Sequence, residues 1–131
     1  MIKTVLLSLA LFLAQVSVDD TKVRYGDSRS FMKSQNGAVA VIKSQNVYLE
    51  LPSYKKIAKE KVKTGTARYT QLMEIATKNY KKLVAGVAKS QNLVLVVETG
   101  GISGYPTSDI TNTVIAEVRK VKTEKVKKNK T

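Results

Sequence analysis

Between Thr66 and Lys89 the apolar residues Tyr69, Met73, Ala76, Tyr80, Leu83 and Val87 return at alternating spacings of four and three. An α-helix turns through about 100° per residue, so this spacing puts all six on one stripe, with Leu72 and Val84 beside it. Such a stripe is a coiled-coil-like seam and must be covered by another element. The preceding segment has the same period. Val47, Leu51, Tyr54, Ile57, Ala58 and Val62 mark a helix capped by Ser44, with Pro52-Ser53 permitting a kink or a restart at its second turn. Gly65 offers a left-handed residue to close this first limb, and Thr66 offers a cap for the second. Limbs of about 20 and 23 residues are matched, which predicts an antiparallel helical hairpin over residues 44–89, about 30 Å long.

Two short apolar runs flank the hairpin. Gly37 to Ile42 is rich in β-branched residues and bounded by Asn36 and Ser44, which predicts a first strand. Asn92 to Val97 is too short for a helix and precedes Gly100-Gly101, which predicts a second strand buried on both faces. Ile102 to Tyr105 reads as a short third strand ended by Pro106. Ser108 or Asp109 then caps a final helix with Ile110, Val114, Ile115, Val118 and Val121 inward, and the Asp109 carboxylate suits the positive helix start. The tetrapeptide Lys-Ser-Gln-Asn occurs at Lys33, Lys43 and Lys89, at irregular intervals, and reads as recurrent turn chemistry.

The fold class these elements predict is α+β: a small β-sheet body, a protruding helical hairpin and a C-terminal helix. Val39, Val41, Leu93, Leu95, Val97, Ile110 and Val114 are its candidate core. Three short strands and one helix bury little surface, so that core is expected to be completed by other copies of the chain. Residues 19–36, with Gly26, several Ser and few large apolar side chains, read as an extended leader to a domain spanning 37–121, and 122–131 as a basic tail.

At 131 residues and 43% hydrophobic content, the chain has material for one domain. Its first eighteen residues are a separate object. Lys3 precedes an uncharged apolar run from Val5 to Ala14, and Asp19-Asp20 follows. That is the pattern of a secretory signal over residues 1–18, too short to span a bilayer, and it places the protein in the periplasm. Neither a cut after Ala14 nor one after Ser17 puts small residues at both positions a signal peptidase inspects, so the cleavage point stays open.

Cys and His are both absent, which excludes disulfides, a lipoprotein anchor, thiol nucleophiles, Cys/His zinc sites and imidazole proton transfer. Carboxylates are few, and Gly100 to Gly104 lacks the spacing and the lysine of a phosphate loop. No enzyme is expected, with no catalytic residue, metal ligand or cofactor. The remaining chemistry is charge. There are 23 basic residues against 10 acidic ones, a formal +13, concentrated on the hairpin and the tail. Lys55, Lys56, Lys59, Lys61, Lys63, Arg68, Lys78, Lys81 and Lys82 are the candidate sites for an acidic client or an anion, against the simpler reading of a solvated helix face. Tyr54, Tyr69 and Tyr80 offer amphipathic contact area or, more simply, packing along the seam. The tail from Arg119 reads as a solubilising segment or as a site for anionic lipid or lipopolysaccharide; export argues against nucleic acid.

The order and the residues together resemble the Skp/OmpH family of periplasmic chaperones. Ala38-Val39-Ala40-Val41-Ile42, Asn46-Val47 and Leu51-Pro52-Ser53-Tyr54-Lys55-Lys56 are similar to its amino-terminal block. Asn92 to Val97, Gly100-Gly101, Tyr105, Asp109-Ile110-Thr111 and Val114-Ile115 are similar to its closing strands and terminal helix. The resemblance covers Gly37 to Val118 with an internal deletion, and neither block is a catalytic motif. It implies a homotrimer with basic hairpins that holds unfolded or partly folded outer-membrane proteins during their assembly. The hairpin here is far shorter than the family's, which opens a second reading: a non-chaperone structural or adaptor subunit of an envelope assembly that docks on one folded partner.

Overall fold

The computed structural model describes residues 15–129, with side chains to residue 121. Residues 1–14 of the expected signal over residues 1–18, and the side chains of the tail from residue 122, lie outside the described residues.

The chain is a mixed α and β body. Strands β1 (Ser17–Val18) and β2 (Val23–Gly26), separated by one 3-10 turn, lead to helix α1 (Ser28–Ser34). Strand β3 (Ala38–Ile42) follows, then helices α2 (Ser44–Tyr48), α3 (Pro52–Lys59) and α4 (Ala67–Ser90). Strands β4 (Leu93–Glu98), β5 (Ile102–Ser103) and β6 (Ser108–Asp109) precede the last helix, α5 (Thr111–Asn129). The main sheet has the order β2-β4-β3-β6, and β1 pairs with β5 in a separate ribbon. β3 and β4 are parallel, a pairing that requires the helical crossover between them, whereas β2 runs antiparallel to β4.

Residues 19–36 are therefore no extended leader. Val23 and Tyr25 pair with Val97 and Val96 at the sheet edge, and Phe31 of α1 is 3% exposed beneath the sheet. The expected third strand is also relocated, because Ile102 and Ser103 pair with Val18 and Ser17 and not with β4.

Alternation along β3 separates two cores. Ala40 and Ile42 face helices α2, α4 and α5, packing with Val47, Leu51, Ala76, Tyr80, Val84, Ile110 and Val114. Val39 and half-buried Val41 face the other way, with Phe31, Leu95 and Val97. The same alternation fails once in β4. Ala38 pairs with Leu93 but Val39 with Leu95, so Val94 is the extra residue of a β-bulge. Leu93 consequently joins the first core, Leu95 the second, and Val94 is left 40% exposed. At Gly26 a Cβ would stand 2.2 Å from the Val94 carbonyl oxygen, so only glycine lets β2 approach the bulge.

Val39, Leu93, Leu95, Val97, Ile110 and Val114 are all buried by this one chain. The expectation that other copies complete that core is corrected: β2, α1 and the length of α4 supply the missing cover.

The helical limbs are unequal, 8 residues in α3 against 24 in α4. α3 stops early because Lys61 turns left-handed at φ 50°. The N–H of Val62 then reaches the carbonyl of Ile57 at 2.9 Å and that of Lys61 the carbonyl of Ala58 at 3.3 Å. This pair of bonds is a Schellman closure, four residues before the expected stop at Gly65. Thr66 does cap α4, accepting the Tyr69 N–H at 3.2 Å. From Tyr80 to Ala88 the inward stripe of α4 is part of the first core, so the carboxy-terminal part of the expected protruding limb lies on the sheet.

Candidate binding surface on helix α4

The amino-terminal half of α4 continues past the sheet and carries an open cleft of about 480 Å³ lined by Tyr69, Thr70, Met73, Glu74, Thr77, Lys78 and Lys81. Their spacing explains the surface. Tyr69, Met73 and Thr77 are separated by four residues each and form one row, with Lys78 and Lys81 on the solvent side. Tyr69 and Met73 are half-buried and form an apolar floor, and the rim carries Lys78 and Lys81 beside the single acid Glu74.

Beside Thr77 the cleft meets a cluster of three tyrosines. Tyr48 of α2 lies over Tyr80 with ring centroids 4.9 Å apart, and Tyr54 of α3 meets Tyr48 edge-on at 5.9 Å. The Tyr48 hydroxyl donates to Thr77 Oγ1 at 3.2 Å. Tyr80 is 4% exposed and belongs to the core, which settles that residue as packing; burial raises its phenol pKa, partly offset by the Ser44 hydrogen bond. Tyr48 and Thr77 were not singled out from the sequence. Thr77 continues the four-residue spacing of Tyr69 and Met73, a signal that the apolar stripe alone conceals.

The candidate cations divide into paired and unpaired sets. Lys55 reaches Glu50 at 3.5 Å. Arg68 binds Glu60 Oε2 through two nitrogens at 2.6 and 3.2 Å, and that bond holds the Glu60 carboxyl below its usual range. Among the described residues Lys56, Lys59, Lys61, Lys63, Lys78, Lys81 and Lys82 make no ion pair, and all are exposed. Only Lys78 and Lys81 line the cleft. Lys56, Lys59, Lys61 and Lys63 lie on α3 and its following loop, and Lys82 follows Lys78 by one turn of α4 without lining the cleft.

A second polar cluster joins the sheet to the helices. Glu98 ends β4, and its carboxylate accepts the Ser44 N–H at 2.8 Å, the Ser44 hydroxyl at 2.5 Å and Arg24 Nε at 3.3 Å. The Ser44 hydroxyl also bonds the Tyr80 hydroxyl. Ser44 was expected to cap a helix; it sits instead as the first residue of α2, whose N–H is capped by Glu98. Glu98 thereby ties the end of β4 to the start of α2 and to β2.

No group of three or more His, Cys, Asp or Glu side chains that could hold a metal exists among the described residues, and none of their helices is long and apolar enough to cross a membrane. Compared with family models, with curated proteins and with solved structures, the chain matches none.

Proposed function

We propose that this chain is an exported Skp/OmpH-like holdase that binds unfolded or partly folded envelope proteins on the α3–α4 surface. The observation that carries the reading is the cleft on α4, with Tyr69 and Met73 as its floor and Lys78 and Lys81 at its rim. An apolar floor accepts hydrophobic side chains of an unfolded segment, while lysines attract acidic ones and raise the rate of encounter. Neither feature demands a particular sequence, which suits a binder of many clients. The sequence resemblance adds a homotrimeric assembly. Because the sheet core is closed within one chain, such a trimer joins through surfaces other than Val39, Leu95 and Val97.

The test is dilution of a urea-unfolded outer-membrane barrel protein into moderate salt with and without this protein, following light scattering and native mass. A holdase suppresses aggregation and captures the barrel in a trimer. Lys78→Glu with Lys81→Glu should weaken capture about tenfold or more and reduce its salt dependence. Unchanged capture in that variant removes the cleft from the reading, and a protein that remains monomeric removes the family resemblance.

The adaptor reading is favoured by one observation: α3 has only 8 residues, so paired helices extend little beyond the body and enclose little volume. An adaptor ignores unfolded chains and binds a single folded partner.

A further inference from the structure

The turn from α1 into β3 carries the one Asn-Gly pair in the chain, Asn36-Gly37. The fold demands the glycine. Gly37 has φ 105°, and a Cβ there would stand 2.6 Å from Cγ1 of Val94, the bulged residue of β4. Asn36 before it is exposed. Among the described residues neither the Asn36 side chain nor the Gly37 N–H makes a hydrogen bond, since the strand ladder starts one residue later at Ala38.

A free carboxamide beside a free backbone N–H is a reactive pair. The nitrogen reaches the side-chain carbonyl carbon by closing a five-membered ring, and glycine puts no Cβ in its way. The other asparagines with described side chains lack this arrangement. Asn46, Asn79 and Asn112 lie within helices, and Asn92 stands directly before β4. Val47, Tyr80, Thr113 and Leu93 follow them, each with a Cβ that crowds the nitrogen.

We propose that Asn36-Gly37 is a self-modification site at which the folded chain deamidates. The Gly37 nitrogen bonds to Asn36 Cγ, its proton and the Nδ2 group leave as ammonia, and a succinimide closes. Water then adds across one of the two imide C–N bonds. Opening at Cγ leaves aspartate at position 36; opening at the main-chain carbonyl leaves isoaspartate, with the backbone routed through the former side-chain methylene. This chemistry is independent of the holdase reading.

The position gives the isomer a structural effect. On one side the Gln35 N–H is bonded to the Phe31 carbonyl at 2.6 Å, and on the other the Tyr105 hydroxyl donates to the Gly37 carbonyl. The added methylene falls between these two anchors, so one of them must yield: the closure of α1, which carries Phe31 into the second core, or the entry to β3.

The full chain is incubated in mildly alkaline buffer, folded or unfolded in urea, and its tryptic peptides are followed by mass spectrometry. Ser34–Lys43 contains Asn36 and no other asparagine. In the folded chain this peptide should gain the mass difference between a carboxamide and a carboxyl before any other asparagine peptide does, at a rate comparable to that in urea. It should also split into two products of equal mass, aspartate and isoaspartate. A peptide that changes only in urea means that the fold blocks ring closure, which overturns the proposal. Asn36→Gln, whose longer side chain would have to close a six-membered ring, should fold with unchanged Tm and lose the fast reaction; a fast mass change that persists in this variant overturns the assignment to Asn36. The converted parent chain should melt below the fresh one, and equal melts would overturn the strain assigned to the isomer.

Discussion

The backbone N–H of Ser44 points at Glu98 Oε1 from 2.8 Å, so the first residue of α2 is capped by the last residue of β4, 54 positions later in the chain. Helix starts leave N–H groups without partners, and here the missing cap comes from across the fold and not from the preceding residue. Removing that carboxylate also takes one partner from the Ser44 hydroxyl and the ion pair from Arg24. Glu98→Ala should therefore cost about 1–3 kcal/mol, more than an exposed ion pair would. Urea denaturation measures it, and a cycle with Ser44→Ala should show coupling of about 0.5 kcal/mol or more; additive effects would mean that the two residues do not act together.

The bulge makes adjacent residues of β4 opposite in tolerance. Leu95 is fully buried, so Leu95→Asp places an unpaired carboxylate in the second core and should unfold the protein, at a cost of about 4 kcal/mol or more. Val94→Asp, at a position 40% exposed, should change stability by no more than about 0.5–1 kcal/mol. Thermal melts of both variants decide the register, because strict alternation without a bulge would put Val94 on the face of Val96, inside the first core, where Val94→Asp would be as damaging as Leu95→Asp. Val41→Asp, at a half-buried position, should be damaging but less so than Leu95→Asp.

Lys61 holds a left-handed conformation that costs a residue with a Cβ about 1–2 kcal/mol relative to its usual regions. Lys61→Gly relieves the strain but loosens the unfolded chain, for a net gain of about 0.5–1 kcal/mol. A higher Tm with unchanged helical circular dichroism is the expected result. A lower one would show that the lysine side chain contributes something the glycine lacks.

Asp109 accepts both the Thr111 hydroxyl, at 2.6 Å, and the Thr111 N–H, at 2.9 Å, and these bonds lower its carboxyl pKa below the ordinary 3.8. With the folded value below the unfolded one, its contribution to stability is complete well above pH 3.8 and disappears as pH falls through the folded value. Asp109→Asn should thus be destabilised at pH 7, and the gap from the parent protein should shrink towards pH 3. Urea midpoints at the two pH values test this; a gap that widens on acidification contradicts it.

Legibility in the sequence followed how much each segment says on its own. β3, β4 and α4 were readable because Ala38 to Ile42, Leu93 to Val97 and the Tyr69 to Val87 stripe carry their period locally. β2 was not, since Val-Arg-Tyr-Gly is a four-residue edge strand whose pairing with β4 is non-local. α1 was missed for a similar reason: its packing rests largely on one buried residue, Phe31, set among Ser and Lys. The tetrapeptide Lys-Ser-Gln-Asn shows the limit of local reading. At Lys33 it ends a helix with Gln35 left-handed, at Lys89 it ends one with Asn92 left-handed, and at Lys43 it begins one. The same four residues serve opposite ends because the surroundings, Glu98 above all, decide which backbone groups are satisfied. On the binding surface, the lysines were legible as a population, but the division between those on the cleft and those paired with Glu50 or Glu60 depends on how α3 and α4 meet.

The central position of β4 imposes an order on how the molecule comes into being. β2 and β3 are not neighbours in the sheet; each finds its partner in a strand that begins only at Leu93. A chain emerging amino end first, from a ribosome or a translocation channel, therefore carries both strands unpaired until residue 98 has appeared. Pairing that joins distant stretches is slow compared with helix formation, and unpaired apolar strands are exposed to aggregation while they wait. For most of its synthesis this polypeptide is itself an unfolded chain with free β-strands, in need of the same protection that a holdase gives to others.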